Sequence, residues 1–267
     1  MSRVWQFVEA AGLAPLARKS YLLVRAAPKG WRHRGQVGDV TAEFATTSLL
    51  EYQRVTTLFG EEDILAALLA DLDGDEVVWD IGANVGIYAC FIANKLTTGV
   101  VVGFEPEPVN EARLRANLEA NAPSERWQTS SVALSDDDGP GRMASADDRA
   151  KGAEAGAGHH YLAPDGWLPV ECRRGETAIT EGVPAPTVLK IDVQGAEMKV
   201  LEGMGDALAD VSLIYAELHT EKCPQRYGTT VEEVEQFLTD AGFTLTNLGT
   251  PAGSREGVYY VRAARSS

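Results

Sequence analysis

The 267-residue chain has three cysteines, Cys90, Cys172 and Cys223, odd in number and widely spaced. That pattern excludes a disulfide framework and offers no zinc-knuckle spacing. Reduced thiols, as in an intracellular protein, are the expectation. Long apolar runs are missing too: the longest clean one, Ile64 to Ala70, is far short of a membrane span. Gln6 and Glu9 interrupt the apolar N-terminal stretch, against a secretory signal, so a cytoplasmic protein is expected. Positive charge is scarce. Lys and Arg number 24 against 39 Asp and Glu, a formal net charge of −15, which repels polyphosphate and excludes a whole-surface nucleic-acid binder. Lysine is the scarcer cation, at 7 of those 24; an acidic, lysine-poor surface predicts a halophilic protein of a high-salt cytosol. What is present is globular: 45% hydrophobic and 24% charged residues, near the averages of folded domains.

The few cations cluster. Residues 1–34 carry Arg3, Arg18, Lys19, Arg25, Lys29, Arg32 and Arg34 against the single acid Glu9. Val4, Phe7, Val8 and Ala11 share one helical face. Such a basic amphipathic segment can lie weakly on an anionic membrane surface or hold a partner, or pack on the acidic remainder of its own chain. Residues 1–59 are assigned to a basic, helical N-terminal extension and residues 60–267 to the main domain.

From residue 60 onward strands and helices alternate. Helices are expected at 61–71, 86–95, 108–121, from Ala196, and at 230–240. Strands are expected at 76–80, 100–105, near 127–134, at 187–192, 212–218, 243–248 and 257–262. The early strands are apolar throughout, the mark of a parallel sheet covered on both faces. The last two leave no room between them for a helix, so an antiparallel hairpin closes one edge. Residues 136–166, rich in Asp, Gly and Ala, read as a long surface loop. The fold class is α/β, with a mostly parallel sheet.

The chemistry concentrates at Asp80-Ile81-Gly82-Ala83-Asn84-Val85-Gly86, between the first strand and its helix. Gly82 and Gly86 permit a tight turn and close ligand approach. Ligands of open α/β sheets bind at the carboxyl ends of strands. The next strand ends in Glu105, a carboxylate placed to take both hydroxyls of a ribose. A dinucleotide loop would read G-x-G-x-x-G; this register reads Gly82, Asn84, Ile87, without the glycines that admit a pyrophosphate. A phosphate-free, positively charged nucleoside fits better, and S-adenosylmethionine is such a molecule. An NAD-dependent oxidoreductase on a similar sheet is the alternative, as is a cofactor-binding scaffold without catalysis.

Asp80 to Gly86, Glu105-Pro106, Leu189-Lys190-Ile191-Asp192-Val193-Gln194-Gly195-Ala196-Glu197, Val200-Leu201-Glu202-Gly203 and Ala216-Glu217-Leu218-His219 together resemble the FkbM-type S-adenosylmethionine-dependent methyltransferases. The resemblance covers roughly residues 60–262. It implies a class I methyltransferase fold, Rossmann-like, and O-methylation of a hydroxyl or carboxylate on a sugar, glycan or small metabolite. It implies cofactor contacts at Asp80, Gly82, Ala83, Asn84, Gly86 and Glu105, with Val132 and Ala133 edging the adenine and Asp192 meeting the cofactor amine or the acceptor. The family usually has Glu where this chain has Gln194.

Methyl transfer to an alcohol needs a base, whereas a carboxylate acceptor is already nucleophilic. At strand ends on the correct edge stand Asp192, expected to position the acceptor, and His219, expected to act as base. His219 could instead cap a strand at the surface. Glu197 in a first helical turn could serve the helix dipole, and Lys190 within a strand reads as an ion-pair partner. No metal is expected: His159-His160 and the His219/Cys223 pair lack converging ligands.

Overall fold

The computed structural model describes residues 31–145, 160–251 and 257–265; the expected helix in residues 1–30 and the Ala/Gly stretch with His159 lie outside them. The described part opens on a hairpin, β1 (Arg32–Val37) and β2 (Val40–Ala45), paired antiparallel from Arg32↔Ala45 to Val37↔Val40. The helical reading of residues 1–59 does not include this hairpin, although a helix does follow it at Leu49–Thr57. Val40, Ala42 and Phe44 are buried while Glu43 is exposed, a period of two that is a strand's signature, and Gly38 at φ +57° makes the turn. The hairpin is docked on the main domain. Phe44 packs on Phe91 with ring centroids 5.9 Å apart, and Asn121 and Asn117 accept from the Glu43 and Ala45 N–H groups.

Helix α1 (Leu49–Thr57) follows, with Ser48 capping the Glu51 N–H, then α2 (Glu62–Ala70). The alternating core runs β3 (Val77–Ile81), α3 (Ile87–Lys95), β4 (Val100–Phe104), α4 (Pro108–Asn121) and β5 (Trp127–Ser130). Pro108 opens α4 as expected, and Glu107 caps it through the Asn110 N–H.

The expected third strand ends early and hands over to β6 (Ala133–Leu134). The expected surface loop is partly sheet: β7 (Gly139–Ser145), β8 (His160–Leu162) and β9 (Leu168–Arg173) join β6 in the order β6-β9-β7-β8. Small and charged residues hid these strands, because their pairing comes from neighbours rather than from an apolar pattern. The chain continues with α5 (Gly175–Thr180), β10 (Val188–Ile191), α6 (Glu197–Met204), β11 (Leu213–His219), α7 (Val231–Asp240), β12 (Phe243–Gly249) and β13 (Val258–Arg265).

The central sheet has seven strands ordered β12-β13-β11-β10-β3-β4-β5. All neighbours pair parallel except β13, which is antiparallel to both β11 and β12, the expected edge hairpin. Helices and the N-terminal hairpin cover its two faces with separate apolar clusters, which is why β10 and β11 are buried along their whole lengths. The chain goes from β3 out to β5, then returns to β10 on the other side. The switch point lies between β3 and β10, and a crevice must open there at the strands' carboxyl ends.

Candidate active site

A cleft of about 650 Å³, counted to its open mouth, lies at that switch point. Its floor is the turn after β3. Gly82, at φ +80°, sits so close to β10 that an added Cβ would be 2.0 Å from the Asp192 carbonyl oxygen. Gly82 and Ala83 both donate their N–H groups to the Phe104 carbonyl, each at 3.0 Å. Asn84 holds a left-handed backbone, φ 52°, and its side-chain oxygen accepts from the Val85 N–H.

Glu105, at the end of β4, ties this turn in place. One carboxylate oxygen accepts from the Asn84 N–H and the other from the Glu107 N–H, both at 2.9 Å. Burial pushes its carboxyl up to about 7 against those two donors. It lines the cleft beside Phe104, Pro106, Val132 and Leu134.

The structure brings Gly82, Asn84, Glu105, Val132, Ala133 and Asp192 together around the cleft. Asp80, Ala83 and Gly86 stand behind its wall. Asp80 is fully buried with the Lys190 ammonium 3.3 Å from its carboxylate, the ion pair expected of Lys190. Burial opposes the Lys190 charge, but Asp80 and Asp192 outweigh it and hold the ammonium above its usual pKa. Gly86 admits α4: a Cβ there would lie 2.8 Å from a Leu114 methyl.

On the opposite wall, the turn Gln194-Gly195 after β10 has positive φ at both residues. Gln194 donates to Asp192 at 2.8 Å and accepts from the Lys222 ammonium at 2.6 Å. Asp192 in turn is hydrogen-bonded to Glu217, whose carboxyl is pushed far up by burial and then by the Asp192 charge. His219 is 1% exposed and lies behind the cleft, not in its wall. Glu197, also buried, is more than a helix-dipole residue: its oxygens meet His219 Nδ1 at 2.9 Å, the Gly195 N–H at 2.9 Å and the Cys223 thiol at 3.2 Å.

Two sets of cleft residues were missed by the sequence reading. Arg54, on α1, is buried in the cleft wall, where burial pulls its guanidinium down to about 10, still charged at neutral pH. Its only signal was an isolated cation in a segment assigned elsewhere. Met143, His160, Tyr161 and Leu162 come from the segment read as loop, and the Arg226 guanidinium stacks 3.5 Å over the Tyr161 ring.

A sheet in this order, with a glycine turn and an acid-tipped second strand at its switch point, defines a class I methyltransferase. The cleft fits S-adenosylmethionine. Glu105 offers a buried carboxylate for ribose hydroxyls, apolar side chains flank it for an adenine, and the turn lacks the glycines a pyrophosphate needs. Comparison with known proteins narrows the class. The methyltransferase FkbM domain matches residues 80–245. The chain is 31% identical over 211 residues to the hexuronic acid methyltransferase AglP of Haloferax volcanii, covering 77% of this chain and 79% of that one. It is 29% identical over 230 residues to the 31-O-demethyl-FK506 methyltransferase FkbM of Streptomyces tacrolimicus, covering 74% and 84%. Among solved structures, the magnesium protoporphyrin IX methyltransferase of Synechocystis PCC 6803 with bound SAH aligns over 98% of both chains at TM-score 0.49 and 13% identity. The chain belongs to the FkbM methyltransferase family. It is an S-adenosylmethionine-dependent O-methyltransferase, and the oxidoreductase alternative finds no support.

Proposed function

We propose that the acceptor is an anionic sugar, a uronic acid or a glycan bearing one, methylated on a hydroxyl or carboxylate oxygen. The observation that carries this reading is Arg54 in the cleft wall, with Lys222 and Arg226 directly behind the lining residues Gln194 and Tyr161, in a chain of net charge −15. Scarce cations drawn to one place complement a carboxylate. The relative AglP acts on a hexuronic acid, which supports the same class. S-adenosylmethionine, when bound, would supply the methyl group, its S–C bond breaking to leave S-adenosylhomocysteine. Glu105 and the Gly82–Asn84 turn would hold its nucleoside, and Asp192, at the tip of β10, would position the acceptor oxygen. Where that oxygen is a hydroxyl, Asp192 would take its proton. His219 reaches the cleft only through Asp192 and Glu217, so it is not assigned as the base. Alignment of this kind is worth ~7–11 kcal/mol of the barrier.

The test is labelled-methyl transfer to a glucuronic acid-terminated oligosaccharide and to its glucose counterpart. A charged hydrogen bond is worth about 1.5–3 kcal/mol, so kcat/KM should favour the uronic acid by at least about tenfold. Equal rates on both would refute the anionic acceptor.

We also read the acidic, lysine-poor composition as adaptation to a salty cytoplasm. Among the described residues no helix is long and apolar enough to cross a membrane, and surface association would depend on residues 1–34. Urea stability that failed to rise from low to molar KCl would refute the salt adaptation.

A further inference from the structure

Strands β10 and β11 pair in parallel with Lys190 opposite Tyr215 and Ile191 opposite Ala216. Side chains alternate along each strand, so Asp192, Glu217 and His219 fall on one face at adjacent tips. One donor atom from each lies within 4.8 Å of the other two. His219 is the informative member. Its Nδ1 meets Glu197, whose two oxygens also accept from Gly195 and Cys223. That arrangement puts the ring proton on Nδ1 and the lone pair on Nε2. Nε2 is buried, has no hydrogen-bond partner among the described residues, and stands 3.9 Å from a Glu217 oxygen. A buried lone pair without a donor costs free energy unless something with positive charge meets it.

Asp192 and Glu217 bring two carboxylate groups to the same point as this ring. An imidazole held through its other nitrogen by a carboxylate is the usual support of a metal-bound histidine.

We propose that Asp192, Glu217 and His219 form a binding site for a divalent transition-metal ion such as Mn2+ or Zn2+, oriented by Glu197. One imidazole and two carboxylates suit these ions better than Mg2+ or Ca2+, which take oxygen ligands. Three protein ligands leave further positions to water or an oxygen ligand, as catalytic sites do. Ligands on an ion bonded at about 2.1 Å stand roughly 3–3.5 Å apart, so the three donors need draw in only modestly. Asp192 borders the cleft and gives the ion its way in. The site's position beside the acceptor rests on the methyltransferase reading; ion binding itself does not.

The test titrates the chelator-stripped full chain with MnCl2 and reads free Mn2+ by electron paramagnetic resonance. One ion per chain is expected, bound more tightly than Mg2+. His219→Gln and Glu217→Gln should weaken it at least tenfold, and Glu197→Gln by about 10–100-fold, with S-adenosylhomocysteine binding kept as the check on folding. No saturation at millimolar Mn2+, undiminished binding in the variants, or a preference for Mg2+ would each overturn the proposal. Should the variants unfold, histidine ring signals of the wild-type protein decide: Mn2+ must broaden one of them, and broadening of none refutes the site. Absence of S-adenosylhomocysteine binding in the wild type would instead sink the cofactor reading and leave the ion result standing.

Discussion

Replacing Glu105 by Gln should stabilise the empty protein at high pH while weakening its hold on cofactor. The carboxyl is buried and raised from the ordinary 4.5 to about 7. A folded pKa above the unfolded one means the stabilising contribution is full below about pH 4.5 and is lost as pH rises through about 7. A difference of some 2.5 units at 1.36 kcal/mol each is ~3 kcal/mol. Gln has the shape of the protonated acid and does not titrate. Wild type and Glu105→Gln should therefore unfold at similar urea concentrations near pH 5. At pH 8 the variant should be more stable by up to about 3 kcal/mol, less whatever the Asn84 and Glu107 N–H bonds lose when one oxygen becomes an amide. All other groups titrate in both proteins and cancel. Cofactor binding should move the opposite way. Ribose hydroxyls donate to an ionised carboxylate, so wild-type affinity for S-adenosylhomocysteine should climb between pH 6 and 8. The variant should bind about 10- to 100-fold more weakly at pH 8, one charge-assisted bond being worth about 1.5–3 kcal/mol. Calorimetric titrations at three pH values, paired with urea melts, make the comparison. Identical pH slopes in the two proteins, in both assays, would refute the assignment.

Gly82→Ala should abolish detectable S-adenosylhomocysteine binding, since a Cβ 2.0 Å from the Asp192 carbonyl must part β3 from β10 at the cleft floor; calorimetry showing unchanged affinity would refute the close approach. Lys190→Met should cost about 3–5 kcal/mol in urea melts by stranding the buried Asp80 carboxylate, and adding Asp80→Leu should recover most of it; a single variant as stable as wild type would show the pair is not buried together. Asn117→Ala should cost about 1–3 kcal/mol, because its amide bridges the Ala45 N–H to the Val85 carbonyl and so pins the hairpin to the glycine turn after β3. Proteolysis that cuts the hairpin no faster in this variant would count against that coupling.

The sequence alone determined the parallel core, its edge hairpin and the glycine turn after β3, because each is written locally. Apolar runs between turn residues specify strands buried on both faces, Pro108 marks a helix start, and glycine at 82 answers a steric demand of the backbone itself. It even carried the period of two that places Lys190 with Asp192, and Glu217 with His219. Tertiary structure decided what no local pattern states. It set β10 beside both β3 and β11, which left Asp80 inside the wall and brought Asp192, Glu217 and His219 to one point across some 25 residues of chain. It also made residues 32–57 of the N-terminal extension a hairpin and a helix that lends Arg54 to the cleft, and turned a loop-like stretch into strands that supply Tyr161. Strand order and docking are settled by which faces can be covered together, a property of the whole chain's packing that no single segment carries.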